Sequence, residues 1–463
     1  MKRQILLLGI PLLAIAADDD WPRWRGPLNN GMARGDVPVE FSETKSVAWK
    51  TAVPGRGHSS PVIWGNRIFV TTAAPNGEIP RPTGGPGPGA FGGEPKQRKG
   101  PPPGGFGGGE FKQRKGPGGP GGGMGGGTGA GVEHKFVLMC LDRNTGKVLW
   151  EQVAMVTAPH EGYHQRYGSF ASNSPVTDGE RVYAFFGSRG LYVYDLNGKL
   201  QWKKDFRPMK MRLGFGEGTA TVVDGDTVLL NFDNEEDSYV VALDKRTGRE
   251  LWRMSRDEQS AWAQPLVVTH NGARQAVVAA SNKVRSYDLA TGKLIWECAG
   301  LGSNVIPAPV THNGLVYVMS GHRDPNLMAI KLGRTGDLTK TDAIVWSNQR
   351  GNSYTPSPVL HESKLYLVTD NGMVSALNAS TGEPYYLQQR LPKAYSFKAS
   401  PVGVNGKLYL STENGDIVVL RMGEKFEVLA TNSMGDQMFV ASPAVSGNSL
   451  YLRGESNLYC IRN

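Results

Sequence analysis

Two histidines stand at a spacing that metal sites use. His160 and His164 are four residues apart with Glu161 between them, which on a helix would place both rings on one face. They lie between Pro159 and Gly168, in a stretch whose proline and glycines disfavour a helix. We therefore interpret them as loop histidines and predict no metal site. The chain also lacks GxSxG, HExxH, P-loop and dinucleotide-binding motifs, so we assign no catalytic residues.

The chain has three cysteines, Cys140, Cys298 and Cys460. Their odd number excludes a fully paired disulfide framework, and none stands in a CxxC or adjacent pair. Thiols that persist in an oxidising compartment are usually buried. We expect all three to be structural.

Two short sequence motifs, here called phrases, recur along the chain. They predict the repeated strands and turns that must position any functional residue. In the first phrase a small residue or Gln precedes Pro, and an apolar residue follows. An eighth copy, without proline, centres on Ala220; after a long first interval the copies recur every 42 to 49 residues. The prolines are Pro61, Pro175, Pro265, Pro309, Pro358, Pro401 and Pro443.

The second phrase runs from an Asp through a Gly to a Trp, as in Asp142, Gly146 and Trp150. Asp closes a turn, Gly supplies the positive φ of a tight hairpin, and Trp contributes a large buried area. We predict that these tryptophans are structural residues at the edges of the repeated units and not ligand-stacking residues. The predicted set is Trp49, Trp150, Trp202, Trp252, Trp296 and Trp346.

Four short strands per period indicate an all-β fold, an eight-bladed β-propeller of four-stranded antiparallel blades. The last copy, from Ala441 to Asn463, has room for only three strands. The segment from Ser46 to Thr51 resembles the outer strand that precedes each proline phrase. We therefore predict that the N-terminal and C-terminal strands close the ring together, which removes an open edge.

Ligands of propellers usually bind at the mouth of the central channel, on the loops that enter the innermost strands. Here those loops precede each proline phrase, and they predict a collar of polar and aromatic side chains of mixed charge, suited to an anionic or planar ligand. An alternative interpretation is that these aromatic residues only fill the channel. The candidate ligand-binding residues are Arg56, His58, His164, Arg166, Tyr167, Arg212, Glu217, Trp262, Asn304, Tyr354, Tyr395, Phe397, Lys398 and Asp436.

The N-terminus resembles an export signal. Lys2 and Arg3 precede an apolar run from Ile5 to Ile15, which ends in a small-residue cleavage site. The run is too short for a transmembrane segment, and no cysteine follows the expected cut. We predict a signal peptide over 1–16, an N-terminal extension over 17–45, a propeller over 46–463, and a periplasmic or secreted protein without a lipid anchor.

Residues 75–132 are dominated by Gly and Pro and predict a disordered basic insert within the first blade. They contain a duplicated cassette, which is either a basic tether to an anionic surface or a repeat expansion in a tolerant loop. The insert holds seven Lys or Arg and three Glu, which accounts for much of the net charge of +9. The charge therefore predicts no nucleic-acid partner.

The segment from Ala242 to Trp252 matches Ala-x-Asp-x-x-Thr-Gly-x-x-x-Trp, the tryptophan-docking motif of quinoprotein-type propellers. The chain thus resembles the PQQ-binding-like β-propeller repeat family over most of its length outside the insert. That family includes PQQ-dependent dehydrogenases and non-enzymatic scaffolds, such as the propeller of the outer-membrane β-barrel assembly machine. The opening from Trp21 to Pro27 resembles that of many uncharacterised exported relatives.

The resemblance implies a non-catalytic binding or scaffold protein of the bacterial envelope, since the marks of the dehydrogenases are missing. The chain has no adjacent cysteine pair and no CxxCH haem motif, and we find no Glu, Asn and Asp set for the calcium of PQQ. We expect no cofactor, a monomer, and a protein partner in the envelope or outside the cell. The alternative function is a PQQ-dependent alcohol or sugar dehydrogenase that binds PQQ with calcium.

Overall fold

Short runs of β-branched and aromatic residues, separated by glycine-containing turns, form the strands of this protein. The computed structural model describes residues 19–77 and 129–463. Over these residues the strands form eight sheets, each built from four antiparallel strands. Two of the sheets carry one additional short strand. This confirms the predicted eight-bladed, all-β propeller.

We number the blades 1 to 8 from the first proline phrase and give each blade's strands from the innermost to the outer one. Blade 1 consists of Val62–Trp64, Arg67–Pro75, His134–Asp142 and Val148–Thr157. Blade 2 consists of Val176–Thr177, Arg181–Phe185, Leu191–Asp195 and Leu200–Lys204. Blade 3 consists of Val222–Asp224, Thr227–Phe232, Tyr239–Asp244 and Glu250–Ser255. Blade 4 consists of Leu266–His270, Ala273–Val278, Val284–Asp288 and Leu294–Cys298, with Gly336–Asp337 added outside.

The second half of the ring follows the same order. Blade 5 consists of Val310–His312, Leu315–Ser320, Asn326–Lys331 and Ile344–Asn348. Blade 6 consists of Val359–His361, Lys364–Val368, Met373–Asn378 and Pro384–Arg390. Blade 7 consists of Val402–Val404, Lys407–Ser411, Asp416–Arg421 and Val428–Ser433, with Met32–Ala33 added inside. Blade 8 consists of Ala444–Ser446, Ser449–Arg453, Asn457–Ile461 and Val47–Ala52, and two short 3-10 helices span Gly187–Arg189 and Arg212–Gly214.

The two ends of the chain close the ring in blade 8. Val47–Ala52 pairs antiparallel with Asn457–Ile461, and Trp49 lies opposite Cys460. The innermost strand of blade 8 also contacts that of blade 1. The predicted ring closure by the terminal strands is therefore confirmed, and the channel is bounded by blades on all sides.

Tryptophans of the outer strands hold successive blades together. The indole N–H of Trp49 donates to the Arg143 carbonyl, 3.0 Å away, on the turn of the next blade. That turn contains Gly146 at φ +71°, where an added Cβ would lie 2.5 Å from the Trp49 ring. The same docking on the next blade is made by Trp150, Trp202, Trp252 and Trp346.

Trp296 is the exception among the predicted tryptophans. It is fully buried, and its indole N–H donates to the Gln275 side chain of its own blade, at 3.1 Å. Blade 5 replaces the tight Asp-to-Gly turn by a longer connection, whose Leu332 and Leu338 pack in the same cluster as Trp296. The residue is structural here too, through a different contact.

The N-terminal extension runs along the innermost strands of several blades at one end of the channel. Trp21 pairs with Ile63 of blade 1, and the Pro22 carbonyl accepts the N–H of Thr177 in blade 2. Further along, Met32–Ala33 runs parallel to the innermost strand of blade 7, with Met32 opposite Gly403. We call residues 20–33 the N-terminal plug. It lies at the end of the channel where the first and second strands of each blade are joined.

The predicted signal peptide lies outside the described residues, as do residues 78–128 of the predicted insert. The parts of the insert that the structure describes continue the blade-1 hairpin, where Pro75 pairs with His134. No helix within the described ranges is long and apolar enough to cross a membrane. Burial raises the pKa of the Cys140 thiol to about 12 and that of Cys298 to about 11, so these thiols are not nucleophilic near neutral pH.

Candidate functional site at the channel mouth

The proline phrases of blades 5 to 8, 1 and 2 are linked around the channel by a chain of hydrogen bonds. The serine hydroxyl of one phrase accepts the backbone N–H of the phrase in the preceding blade, as Ser400 Oγ does from Ser357 at 2.8 Å. The same bond links Ser400 to Ser442 at 2.9 Å and Ser442 to Ser60 at 3.0 Å. In these blades the serine of the repeat thus fixes where the innermost strand begins, and with it the loop that precedes the strand.

Those loops surround a cavity of about 450 Å³ at the open end of the channel, which we call the channel cavity. Trp24 of the N-terminal plug forms part of its floor and donates its indole N–H to Ser442 Oγ, 3.0 Å away. All eight blades contribute side chains. The volume lies in the range of small-molecule sites, roughly 300–1,000 Å³.

The structure brings eight of the predicted collar residues to this cavity. They come from blades 1 to 7, while blade 8 contributes Val440 and Ser442 to the lining. Phe215 also lines the cavity, although the repeat did not indicate it. The predicted residues that line the cavity are His58, His164, Tyr167, Glu217, Trp262, Asn304, Tyr354 and Lys398.

Six predicted residues do not line it. Tyr395 and Phe397 are buried in the apolar cluster between blades 6 and 7, and Tyr395 donates its hydroxyl to Asp416 at 2.9 Å. Both side chains therefore belong to the blade core and not to the cavity wall. Of the others, Asp436 is exposed at the surface, while Arg56, Arg166 and Arg212 lie outside the lining.

The arginines are held by partners at the rim. Arg56 donates to the backbone carbonyl of Arg166 at 2.8 Å and lies 3.9 Å from Glu455. The exposed Arg166 contacts the buried Glu413 carboxylate at 3.2 Å. None of the three predicted collar arginines, Arg56, Arg166 and Arg212, lines the channel cavity.

His58 is the most unusual titratable group in the cavity wall. Burial, together with the nearby Arg56 and Arg453 charges, lowers the pKa of the His58 imidazole to about 3. A hydrogen bond to the Gly168 backbone opposes this shift. The ring is thus neutral at physiological pH. Its Nε2 atom has no hydrogen-bond partner among the described residues, although the residue is only 8% exposed.

Asn304 stands on the opposite side of the lining, in the loop that enters blade 5. Its backbone adopts φ +58°, a left-handed conformation that Asn tolerates better than most residues. The side-chain amide donates to the Tyr354 hydroxyl at 3.4 Å, while Oδ1 has no partner in the part of the chain that the structure describes. A buried acceptor without a partner is costly, so both His58 and Asn304 are primed to accept a hydrogen bond.

The charged groups of the lining are already neutralised. The Lys398 ammonium lies 2.5 Å from the Asp370 carboxylate and 3.9 Å from that of Glu413. The Glu217 carboxylate accepts both the N–H and the hydroxyl of Ser188 and lies 3.5 Å from the Arg189 guanidinium. Neither group is free to pair with a charged ligand without breaking an existing interaction.

The two histidines at metal-like spacing face different partners. A ring nitrogen of His160 lies 2.8 Å from the Met209 carbonyl, whereas His164 Nδ1 accepts the backbone N–H groups of Arg166 and Tyr167, each at 3.3 Å. Their segment forms no helix. Within residues 19–77 and 129–463, no group of three or more His, Cys, Asp or Glu side chains is arranged to hold a metal ion.

This donor set does not fit PQQ with calcium. PQQ is planar and carries three carboxylates, so it needs several cations or a bound calcium. Among the described lining residues, Lys398 is the permanently cationic side chain, and it is already paired with Asp370. Glu217, the carboxylate of the lining, is occupied by Ser188 and Arg189. Trp262 supplies an aromatic surface for a planar ring, but the charges that PQQ requires are lacking.

A second feature of functional interest is the outer edge of blade 1, which the repeat pattern did not reveal. Its outer strand, Val148–Thr157, is ten residues long and exposes Val148, Leu149, Val153 and Val156. The outer strands of blades 2 to 5 each expose one large apolar residue. We call Val148–Thr157 the blade-1 edge. No strand of the described residues pairs with its outer side.

Comparison with known proteins places the fold in context. Residues 109–236 and 236–463 match the family described as outer membrane protein assembly factor BamB. The chain is 26% identical over 220 residues to the protein of that name from Legionella pneumophila, covering 45% of this chain and 51% of the relative. The protein of that name from Yersinia pestis is 23% identical over 274 residues, covering 56% of this chain and 63% of the relative.

The chain therefore spans about half to two thirds of the length of these relatives. Among solved structures, the quinohemoprotein alcohol dehydrogenase of Comamonas testosteroni superposes with a TM-score of 0.60 at 11% identity. The superposition covers 96% of this chain and 81% of the dehydrogenase. At that identity the likeness concerns the fold alone.

Proposed function

Because the chain belongs to the family of the outer membrane protein assembly factor BamB, we propose that it is a non-catalytic scaffold of the bacterial envelope. In this proposal it is exported by its N-terminal signal and binds a protein partner that takes part in outer membrane protein assembly. The names of its relatives support a role in outer membrane protein assembly. The blade-1 edge supports the mode of binding.

The blade-1 edge carries the proposal because it combines two properties of a strand-docking site. It offers a row of backbone N–H and C=O groups that no strand of the described residues pairs with, and it carries exposed apolar side chains; Val153 is 53% exposed and Leu149 is 50% exposed. Natural proteins usually protect such an edge with charges, proline or a covering segment. Blade 4 is protected in this way, since Gly336–Asp337 pairs alongside its outer strand.

The partner that fits this edge is an extended protein segment with apolar side chains. Such a segment adds to a sheet edge through main-chain hydrogen bonds, and its alternate side chains then pack on those of the edge strand. The contact would cover Leu149 and Val153. Burying each of these side chains would contribute about 1 to 2 kcal/mol.

Site-specific photocrosslinking in the native bacterium tests this proposal. A photoreactive amino acid replaces Val153, and a control replaces Leu251, an exposed apolar residue of the blade-3 outer strand. We expect an adduct between position 153 and a subunit of the outer membrane protein assembly machinery, identified by mass spectrometry, and none from position 251. Absence of an adduct at 153, or equal adducts at both positions, would contradict the proposal.

The alternative, a PQQ-dependent dehydrogenase, has its own test. Calorimetric titration of the protein with PQQ, with and without calcium, should give no heat because the channel cavity offers one paired cation to three carboxylates. Micromolar, calcium-dependent binding at one site would overturn the scaffold proposal and require a dye-linked alcohol oxidation assay.

A further inference from the structure

The channel cavity has features that a protein-docking scaffold does not need. It lies apart from the blade-1 edge, and it is lined by Trp24 and by side chains from all eight blades. Two of its buried polar groups, His58 and Asn304, keep an acceptor atom that no described residue bonds to. Buried acceptors in folded proteins are usually paired, so both atoms are available to a hydrogen-bond donor that enters the cavity.

The donor that fits these two acceptors best belongs to a ligand without net charge. His58 Nε2 and Asn304 Oδ1 both accept hydrogen bonds, so the ligand must present N–H or O–H groups. An anion would face the unpaired lone pairs of both acceptors, and Lys398 is already committed to Asp370. A cation would find its natural partner, Glu217, bound by Ser188 and Arg189.

The remaining walls are suited to the face of a ring. Trp24, Tyr167, Trp262 and Tyr354 line the cavity with aromatic surface. Several of these rings are held in place: the Trp262 indole donates to the Gly216 carbonyl at 2.8 Å, and Tyr354 packs against His322 at 5.0 Å between ring centres. Fixed aromatic faces bind flat or C–H-rich rings with little loss of conformational entropy.

We propose that the channel cavity binds a neutral sugar, whose ring packs on the aromatic wall and whose hydroxyl groups donate to His58 and Asn304. A sugar combines the features that the lining selects, namely no net charge, several O–H donors and a ring with an apolar C–H face. This binding is additional to the proposed scaffold function and does not depend on it.

Saturation-transfer NMR and tryptophan fluorescence test the proposal on the full protein. The probes are glucose, maltose, N-acetylglucosamine and its β-1,4-linked dimer, with glucuronic acid and PQQ as anionic comparisons. We expect saturable binding of at least one neutral probe and weaker or no binding of the anionic ones. No binding by any neutral probe, or binding by the anions alone, would overturn the proposal.

Substitutions then locate the site. His58→Phe keeps a planar ring but removes the acceptor, and Asn304→Gly keeps the positive φ while removing the side chain. Each should weaken binding about tenfold, as expected for one lost hydrogen bond of roughly 1.4 kcal/mol. Binding that is unchanged in both folded variants would contradict the assignment.

Two matched controls use the same chemical changes at the opposite end of the propeller. His361→Phe changes a histidine at the start of a blade-6 turn, and Asn313→Gly changes an exposed turn asparagine at φ +48°. Both should bind the probes like the unchanged protein. Loss of binding in the controls to the same extent would show a general effect on stability and overturn the local role of His58 and Asn304. The crosslinking at Val153 is unaffected by either result, so the two proposals fail separately.

Discussion

The guanidinium of Arg25 lies inside the ring and donates a hydrogen bond to the carbonyl oxygen of Pro358, 2.6 Å away. A second bond runs to the Pro401 carbonyl at 3.0 Å. One side chain of the N-terminal plug thus ties together the proline phrases of blades 6 and 7. The plug is therefore part of the propeller and supports the floor of the channel cavity.

Replacing Arg25 by alanine should destabilise the protein by about 2 to 3 kcal/mol, because the change removes two buried charge-assisted hydrogen bonds and the packing of a buried side chain. Urea unfolding measures the change. Lys147→Ala, at an exposed position on the blade-1 turn, is the control and should change the free energy of unfolding by less than about 0.5 kcal/mol. Equal effects of the two substitutions would show that the plug contributes no stability.

The contact between Trp49 and Gly146 predicts that two glycine variants differ in stability. Gly146→Ala should cost about 1 to 2 kcal/mol for the positive φ and more for the clash, since the new Cβ would lie 2.5 Å from the Trp49 ring. Gly406→Ala is the matched control, because Gly406 also has a positive φ, +68°, but an added Cβ would meet no atom of the described residues within 4 Å. Thermal unfolding should rank Gly146→Ala well below Gly406→Ala; equal melting temperatures would contradict the docking role.

His58 predicts a pH dependence of stability. Its folded-state pKa of about 3 lies below the ordinary value of 6.5, so between these values the unfolded chain binds a proton that the folded protein excludes. Stability should therefore be highest above pH 6.5 and fall with decreasing pH, by about 2 kcal/mol between pH 7 and pH 5 from this group. His164 adds to the trend, because burial and the nearby Lys398 and Arg56 charges also lower its pKa.

Urea unfolding at pH 7 and pH 5 checks this. In His58→Phe the decrease in the free energy of unfolding between pH 7 and pH 5 should be smaller by most of the contribution predicted for His58. In His361→Phe the decrease should be the same as in the unchanged protein. An unchanged loss in His58→Phe would mean that the imidazole is charged in the folded protein.

The buried ion pair between Asp233 and Arg256 predicts a large effect in blade 3. Both side chains are fully buried, with Arg256 Nε 2.7 Å from Asp233 Oδ1, and Arg256 also donates to the Tyr287 hydroxyl of blade 4 at 2.9 Å. Asp233→Asn should destabilise the protein by about 3 kcal/mol, because it leaves a buried cation without its carboxylate. Glu250→Gln breaks an exposed pair with Arg253 at the same 2.7 Å and should cost less than about 1 kcal/mol. Comparable losses in the two variants would contradict the role of burial.

The repeat period was sufficient to predict the blades and the terminal closure, because both depend on spacing within one period. Asp142, Gly146 and Trp150 illustrate this, since their turn recurs with its contacts in later blades. Trp296 shows the limit. Its partner loop in blade 5 is longer, so its indole N–H bonds to Gln275 instead of a neighbouring turn.

The site was harder to predict, because it depends on how loops of unequal length enter the channel. Counting three residues back from the proline placed His58, Trp262 and Lys398 at the cavity, whereas Phe397, only one residue earlier than Lys398, points into the blade core. The role of Trp24 and Arg25 had no periodic signal, since the plug occurs once. The cluster of Trp and Arg residues at 21–25, unusual in a chain extension, is the signal that could have indicated it.

The most direct test of the scaffold function is complementation in cells that lack this protein. The double variant Leu149→Asp with Val153→Asp places charges on the blade-1 edge, and Leu200→Asp with Leu251→Asp does the same on blades 2 and 3. Melting temperatures confirm that both variants fold, and the readout is the abundance of outer-membrane β-barrel proteins. We predict that the blade-1 variant fails to restore their abundance while the control restores it; full restoration by the folded blade-1 variant would contradict the proposed function.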